Sequence, residues 1–232
     1  MPILEPVTTL HLLDALGDLV LGSRCPGCEV PALGLCQACR LRLAGLTPVA
    51  VTRQSSDFPA TVAAGEYAGA LRRVILLAKE RGGLAYLPLL ARLLARAVTA
   101  LAEACPVPPA RVVLVPVPSA RARVVERGLD LTADLARRAA SILRGAGTEA
   151  TVSRAVGLLR QPRDQAGLDS LARAVNSRGA YRWRAPKAGT VVVVDDVVTT
   201  GATLGAVAAA ARTAGVGVLG AATIAETRRR AA

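Results

Sequence analysis

Buried β-branched runs that alternate with longer apolar-periodic stretches predict an α/β protein, a mostly parallel sheet flanked by helices with a small four-cysteine module ahead of it. Three observations carry this. Residues 191–194 are four valines and residues 112–115 read Val-Val-Leu-Val, the pattern of strands buried on both faces. Residues 84–104, 130–143 and 201–214 are apolar at helical spacing. Cys25, Cys28, Cys36 and Cys39 form two C-x2-C pairs with seven residues between them, upstream of the first strand.

In chain order, residues 9–21 predict a short helix with Leu10, Leu13, Leu16 and Val20 on one face. The cysteine module follows. Residues 49–53 predict a strand, 55–59 a turn, 63–67 a second strand and 70–79 a helix closed by Gly82 and Gly83. A longer helix over 84–104 is stopped by Pro106, Pro108 and Pro109. The strand over 112–117 is expected to end at Pro116, because proline supplies no ladder N–H. A helix over 130–143, a turn at 145–147 and a strand over 151–156 come next. Residues 160–178 are polar and arginine-rich, a candidate mobile lid or a surface loop. The strand over 190–194, the helix over 201–214 with Gly215 as its cap, and a strand over 216–224 complete the pattern. This divides the chain into residues 1–48, an N-terminal helix with the cysteine module, and residues 49–232, the α/β domain.

The 232 residues are 52% hydrophobic but only 2% aromatic, so Leu, Val and Ala must fill the core. The net charge of +12 favours anionic partners such as nucleotides, phosphosugars or nucleic acid, and equally suits an arginine-rich proteome. No G-x-G-x-x-G follows a strand and no G-x-x-x-x-G-K-[ST] occurs, which weighs against a dinucleotide domain and an ordinary P-loop ATPase. Residues 1–14 lack the basic start of a signal peptide, and Arg92, Arg96 and Glu103 interrupt the apolar stretch after residue 84. The expectation is a cytoplasmic protein with no membrane span, in which paired cysteines suit a metal better than a disulfide. Four thiolates fit a closed, structural Zn²⁺ site at Cys25, Cys28, Cys36 and Cys39; an iron–sulfur site or unligated thiols are the alternatives. Cys105 stands apart as an incidental thiol.

The chemistry concentrates where Asp195 and Asp196 end the valine run and Thr199, Thr200, Gly201 and Thr203 open the next helix. Strand C-termini in open α/β sheets hold ligands, and a helix N-terminus offers N–H groups to an anion. Adjacent carboxylates there need donors or a cation, which a diol and Mg²⁺ would supply. Upstream, Ser119 and Arg121 lie on the loop after the Pro116 strand, and Arg127-Gly128 follows. Such a loop can hold pyrophosphate through N–H groups and arginine, or be a solvated turn. Lys79 either reaches a phosphate or complements its helix dipole.

Residues 191–204 resemble the phosphoribosyl-pyrophosphate motif of the type I phosphoribosyltransferases. The resemblance implies that fold, with Asp195 and Asp196 on the ribose hydroxyls directly or through Mg²⁺. It places Val198, Thr199, Thr200, Gly201, Ala202 and Thr203 around the 5-phosphate. The order of further elements resembles the ComF family of phosphoribosyltransferase-like proteins. These are the four-cysteine module, Tyr67, Gly69 and Lys79, Val115-Pro-Val-Pro-Ser, Glu126-Arg-Gly, Arg160, Gln165, Leu168, Arg173 and Asn176, then the acidic pair. Tyr181 departs from the family's phenylalanine, and Leu129-Asp130 from its Phe-Asn.

The expectation is a phosphoribosyl-pyrophosphate-binding protein. If it is catalytic, Asp195, Asp196 and Arg127 stabilise charge as pyrophosphate leaves C1 toward an unknown acceptor. The family resemblance links it to competence, single-stranded DNA and DNA-uptake proteins. The fold is compatible with a homodimer. The alternative is a non-catalytic single-stranded-DNA-handling protein on the same fold, with Tyr181 and Trp183 among Arg178, Arg182 and Arg184 as its best contact; the same residues read equally as an edge strand after the candidate lid. A regulator that senses the phosphosugar without turnover needs the same cradle. His11 offers no evident general base.

Overall fold

Six strands build the main sheet: β1 (Val49–Val51), β2 (Thr61–Ala63), β3 (Arg111–Pro116), β4 (Glu149–Val152), β7 (Thr190–Val198) and β8 (Val218–Glu226). Their spatial order is β1-β2-β8-β7-β3-β4, antiparallel only between β1 and β2. A separate antiparallel pair joins β5 (Val156–Leu158) to β6 (Tyr181–Trp183). The helices are α1 (Gln37–Ala44), α2 (Gly69–Lys79), α3 (Leu87–Glu103), α4 (Arg121–Arg127), α5 (Leu131–Gly145) and α6 (Ala202–Thr213). These come from a computed structural model that describes residues 23–80, 83–119, 121–159, 180–184 and 189–228. The expected helix over 9–21, His11, the candidate lid over 160–178 with its arginines, and Lys187 lie outside the described residues.

The period-two alternation of the strands divides the core between two faces. Val112, Leu114, Val192, Val194, Ala222 and Ile224 pack with α2, α3 and α5. Val113, Val115, Val191, Val193 and Ala221 pack with α6 and the β5–β6 pair. Central parallel strands covered on both faces must be apolar at every position, which is why β7 begins as a valine run. Helix α3 together with the 3-10 turn before it, Gly83–Glu103, is long and apolar enough to cross a membrane by length and composition. Here it is a core helix: Leu87, Leu90, Leu93, Leu94, Val98 and Leu101 are all buried.

The chain leaves β3 through α4 and α5 toward β4, over one face. It leaves β7 through α6 toward β8, over the other face. Neighbouring strands whose connections diverge in this way form a topological switch point, and a crevice opens beyond their C-terminal ends. The ladder between β3 and β7 runs to Pro116 opposite Val194, with one further bond from the Val117 N–H to the Val194 carbonyl at 2.9 Å. Past that point β7 continues beside β8 alone, to Val198 opposite Glu226.

Several elements differ from the sequence reading. The strand expected at 63–67 is β2 at Thr61–Ala63, followed by an isolated bridge from Glu66 to Glu226. The single strand expected over 151–156 is two, β4 and β5. Helix α4 occupies what reads as loop, and β7 runs four residues beyond Val194.

Candidate functional site

Helix α2 connects two concentrations of unusual chemistry. Near its start the described part of the cysteine module packs against it. Gly27 sits so close that a Cβ there would lie 2.6 Å from the Cys39 Sγ and 3.1 Å from the Ala70 Cβ. Arg73 of α2 binds the Pro26 carbonyl at 3.4 Å and the Glu29 carboxylate at 2.7 Å. Cys25, Leu35, Cys39 and Leu43 join the same buried cluster as α2 and α3.

The four Sγ atoms of Cys25, Cys28, Cys36 and Cys39 all lie within 4.8 Å of one another. Zn–S bonds of about 2.3 Å in a tetrahedron put sulfurs about 3.8 Å apart. The Cys28 to Cys36 separation of 3.5 Å is near that. Backbone donors are already aimed at the sulfurs: the Gly27 and Cys36 N–H groups reach the Cys25 Sγ at 3.3 and 3.4 Å, and the Cys39 N–H reaches the Cys36 Sγ at 3.5 Å. Burial raises the Cys25 thiol, but N–H groups of Cys36, Cys28 and Gly27 outweigh it and draw the thiol down to about 6. Burial pushes Cys39 up to about 12, against the pull of the Arg42 guanidinium 3.5 Å away. Without a cation only Cys25 is drawn toward the thiolate, and four cysteines this close can hold a metal such as zinc.

At the other end of α2, Lys79 reaches into the switch-point crevice. Its Nζ lies 2.8 Å from the Asp196 carboxylate. Asp195 and Asp196 occupy the first two positions of β7 beyond the β3 ladder, on opposite sides of the strand. Asp196 therefore faces α2. Asp195 falls on the side of Val193, toward α6 and β6, and its Oδ1 accepts the Asp196 N–H at 2.9 Å. Burial, and then the Asp196 carboxylate, push Asp195 up to about 8, against the Asp196 N–H and the Lys79 ammonium. Among the described residues one lysine faces two half-buried carboxyls, so the crevice favours a further cation or hydroxyl donors.

Val198, Thr199, Thr200 and Gly201 make the turn from β7 into α6, and Ala202 and Thr203 begin the helix. Gly201 has φ of +82°, a left-handed conformation that its neighbours also reserve for glycine, since a Cβ would meet the Phe58 ring at 2.7 Å. The Thr200 hydroxyl accepts the Ala202 N–H at 3.3 Å. The Thr203 hydroxyl bonds the Tyr181 hydroxyl, whose titration burial foremost and then the Asp195 charge push up to about 12.

The remaining residues singled out in the sequence divide. Ser119 follows β3 into the same crevice region, and its hydroxyl donates to Asp130 Oδ1 at 3.1 Å. Asp130 is also the N-cap of α5, accepting the Ala133 N–H at 3.4 Å. Arg121 and Arg127 are the first and last residues of α4, and their side chains lie outside what the structure describes. Tyr181 and Trp183 are corrected as a surface for nucleic acid: they are 9% and 7% exposed, and the Trp183 Nε1–H donates to the Val207 carbonyl at 2.8 Å. Cys105 contacts only the Leu101 carbonyl among the described residues, at 3.6 Å.

Arg53 is a residue the sequence did not flag. Its side chain is 7% exposed and binds Thr199, Glu226 and Thr227, which arrive from two other strand ends. No local pattern marks it, since its partners are 146 to 174 residues away.

No protein-family model matches this chain, and no curated protein matches it.

Proposed function

We propose that the crevice beyond β3 and β7 binds phosphoribosyl pyrophosphate with Mg²⁺, and that the four-cysteine cluster holds a structural Zn²⁺. The observation that carries this reading is the placement of Asp195 and Asp196 at the first open positions of β7, just before a turn into a helix N-terminus. A vicinal diol and a phosphate on one small ligand match that pairing. The resemblance of residues 191–204 to the type I phosphoribosyltransferase motif, and of the wider order of elements to the ComF family, supports the same ligand.

In this reading Asp195 and Asp196 accept the ribose hydroxyls or hold Mg²⁺ through oxygen, the ligand type that cation prefers. When bound, Mg²⁺ would neutralise charge on the pyrophosphate. Residues 198–203 receive the 5-phosphate through N–H and hydroxyl donors. Lys79, now engaged by Asp196, is close enough to turn to a pyrophosphate oxygen when the carboxylates take other partners. Ser119, Arg121 and Arg127 border the region from the β3 side. If transfer occurs, Lys79, Arg121 and Arg127 stabilise the departing pyrophosphate while the acceptor attacks C1.

Calorimetric titration of the intact chain with phosphoribosyl pyrophosphate tests the reading. Binding should require Mg²⁺ and weaken at least 100-fold in an Asp195→Ala, Asp196→Ala double variant. No binding to a folded, metal-loaded protein overturns it.

A further inference from the structure

Arg53 lies between β1 and β2, outside every motif, yet all five of its N–H donors are engaged. Nε donates to the Thr199 carbonyl at 2.9 Å. Nη1 donates to the Thr52 carbonyl at 2.7 Å and to Glu226 Oε2 at 3.4 Å. Nη2 donates to the same carboxylate oxygen at 3.4 Å and to the Thr227 carbonyl at 3.0 Å. The stem of the side chain lies against Gly201, where a Cβ would stand 3.2 Å from the Arg53 Cγ. A buried guanidinium is expensive unless its donors are satisfied and its charge is countered, and both conditions hold here.

One of these bonds fixes more than a side chain. In a trans peptide the C=O and N–H point in opposite directions, and the described chain has no cis peptide bonds. Holding the Thr199 carbonyl toward Arg53 therefore turns the Thr200 N–H away from it. Without a donor at that place the 199–200 peptide is free to rotate and present its carbonyl, which repels an anion.

We propose that Arg53 is a positioning residue for phosphate recognition: it orients the 199–200 peptide so that the turn before α6 presents N–H groups, and no carbonyl, to the 5-phosphate of the ligand. This rests on the phosphosugar reading given above. Arg53 need not touch the ligand, and Glu226 already neutralises its charge. Geometry is therefore the contribution that distinguishes it from a lysine. A lysine keeps the charge but has three donors on a single nitrogen, and cannot span acceptors on three chain segments.

The test uses the full metal-loaded chain as wild type, Arg53→Met and Arg53→Lys, with two probes. Ribose 5-phosphate reports the turn at residues 198–203, and Mg²⁺-pyrophosphate reports the acidic pair. Amide hydrogen exchange at residues 199–203 reports the turn with no ligand present. We expect both variants to bind ribose 5-phosphate at least tenfold more weakly, to bind Mg²⁺-pyrophosphate within about twofold of wild type, and to exchange faster at 199–203. A folded variant that keeps wild-type affinity for ribose 5-phosphate overturns the proposal. So does an equal loss for both probes, which marks a general structural role. Wild-type-like behaviour of Arg53→Lys overturns the geometric argument and leaves charge alone. If Arg53→Met does not fold, Arg53→Lys carries the test. Wild-type protein that binds neither probe removes the phosphosugar reading instead, and the exchange measurement then decides the orienting role of Arg53 by itself.

Discussion

The two ends of α2 solve one electrostatic problem in different ways. Near its start, four cysteine sulfurs converge within 4.8 Å. Near its end, two carboxyls meet in a crevice beside the Lys79 ammonium. Both collect groups that repel one another once ionised. The cysteines have main-chain N–H donors supplied by their own knuckles, which draw the Cys25 thiol down to about 6 while burial keeps Cys39 near 12. The carboxyls depend on Lys79 from another helix, and Asp195 holds its proton to about 8. A site whose donors come from its own local turns is complete as soon as its cation arrives. A site whose donors come from distant elements stays undercompensated until a ligand supplies the remainder, as a reversible binding site requires.

The largest expected effect is at the cysteine end. Structural zinc sites contribute folding free energy directly. Chelation, or Cys39→Ser, should release one metal per chain and lower Tm by about 10 °C or more, the shift that several kcal/mol produces in a chain of this length. Because Gly27 packs on Ala70 and Arg73 binds Pro26, the loosening should extend to α2 and be visible as faster amide exchange there. A stable, unchanged protein after complete metal removal would mean that the shared apolar cluster, and not the sulfurs, holds the module.

The carboxyl end should respond to pH in the opposite sense to an ordinary ion pair. Asp195 has its folded titration raised to about 8 from the ordinary 3.8, so the native state binds the extra proton. Its contribution to stability is fully present below the ordinary value and is lost as pH rises through about 8. The ligand-free protein should therefore lose a few degrees of Tm between pH 5 and 8.5, at about 2–4 °C per kcal/mol. Asp195→Asn should flatten that part of the curve and leave the protein the more stable of the two at high pH. Parallel curves for the two proteins would show that the Lys79 charge and the Asp196 N–H already satisfy the pair.

The same comparison explains what was legible in the sequence. The four-cysteine spacing, the valine strands and the acidic pair before the threonine turn are all local patterns, and each is where the sequence places it. The β7 boundary was not legible, because what ends the shared ladder is the length of its neighbour β3, and β8 lets β7 run on to Val198. The end of β3 at Pro116 was legible, because a missing ladder N–H is a property of the residue itself. Arg53 was invisible because each of its distant acceptors becomes an acceptor only once β7 and β8 are side by side. Arginines flank Tyr181 and Trp183, which read either as a contact surface or as an edge strand; they lie on the strand β6, whose period turns both rings inward and leaves Arg182 between them exposed.

Tyr181 gives the smallest effect, and it separates a structural hydroxyl from a functional one. The ring is buried with Val191, Val193 and Leu204, and phenylalanine would keep nearly all of that packing. The hydroxyl bonds Thr203, and it stands close enough to Asp195 to feel its charge. Tyr181→Phe therefore removes one buried hydrogen bond, worth about 0.5–1.5 kcal/mol net, and leaves the Thr203 hydroxyl to find another partner. In the proposed site that partner is the phosphate itself. The freed hydroxyl offsets the loosened turn, so affinity for phosphoribosyl pyrophosphate should change less than about threefold while Tm falls by a few degrees. A tenfold loss of affinity with an unchanged Tm would reverse the assignment. Thr203 would then owe its direction to Tyr181, and the anion turn would be held from β6 on one side as Arg53 holds it from the other.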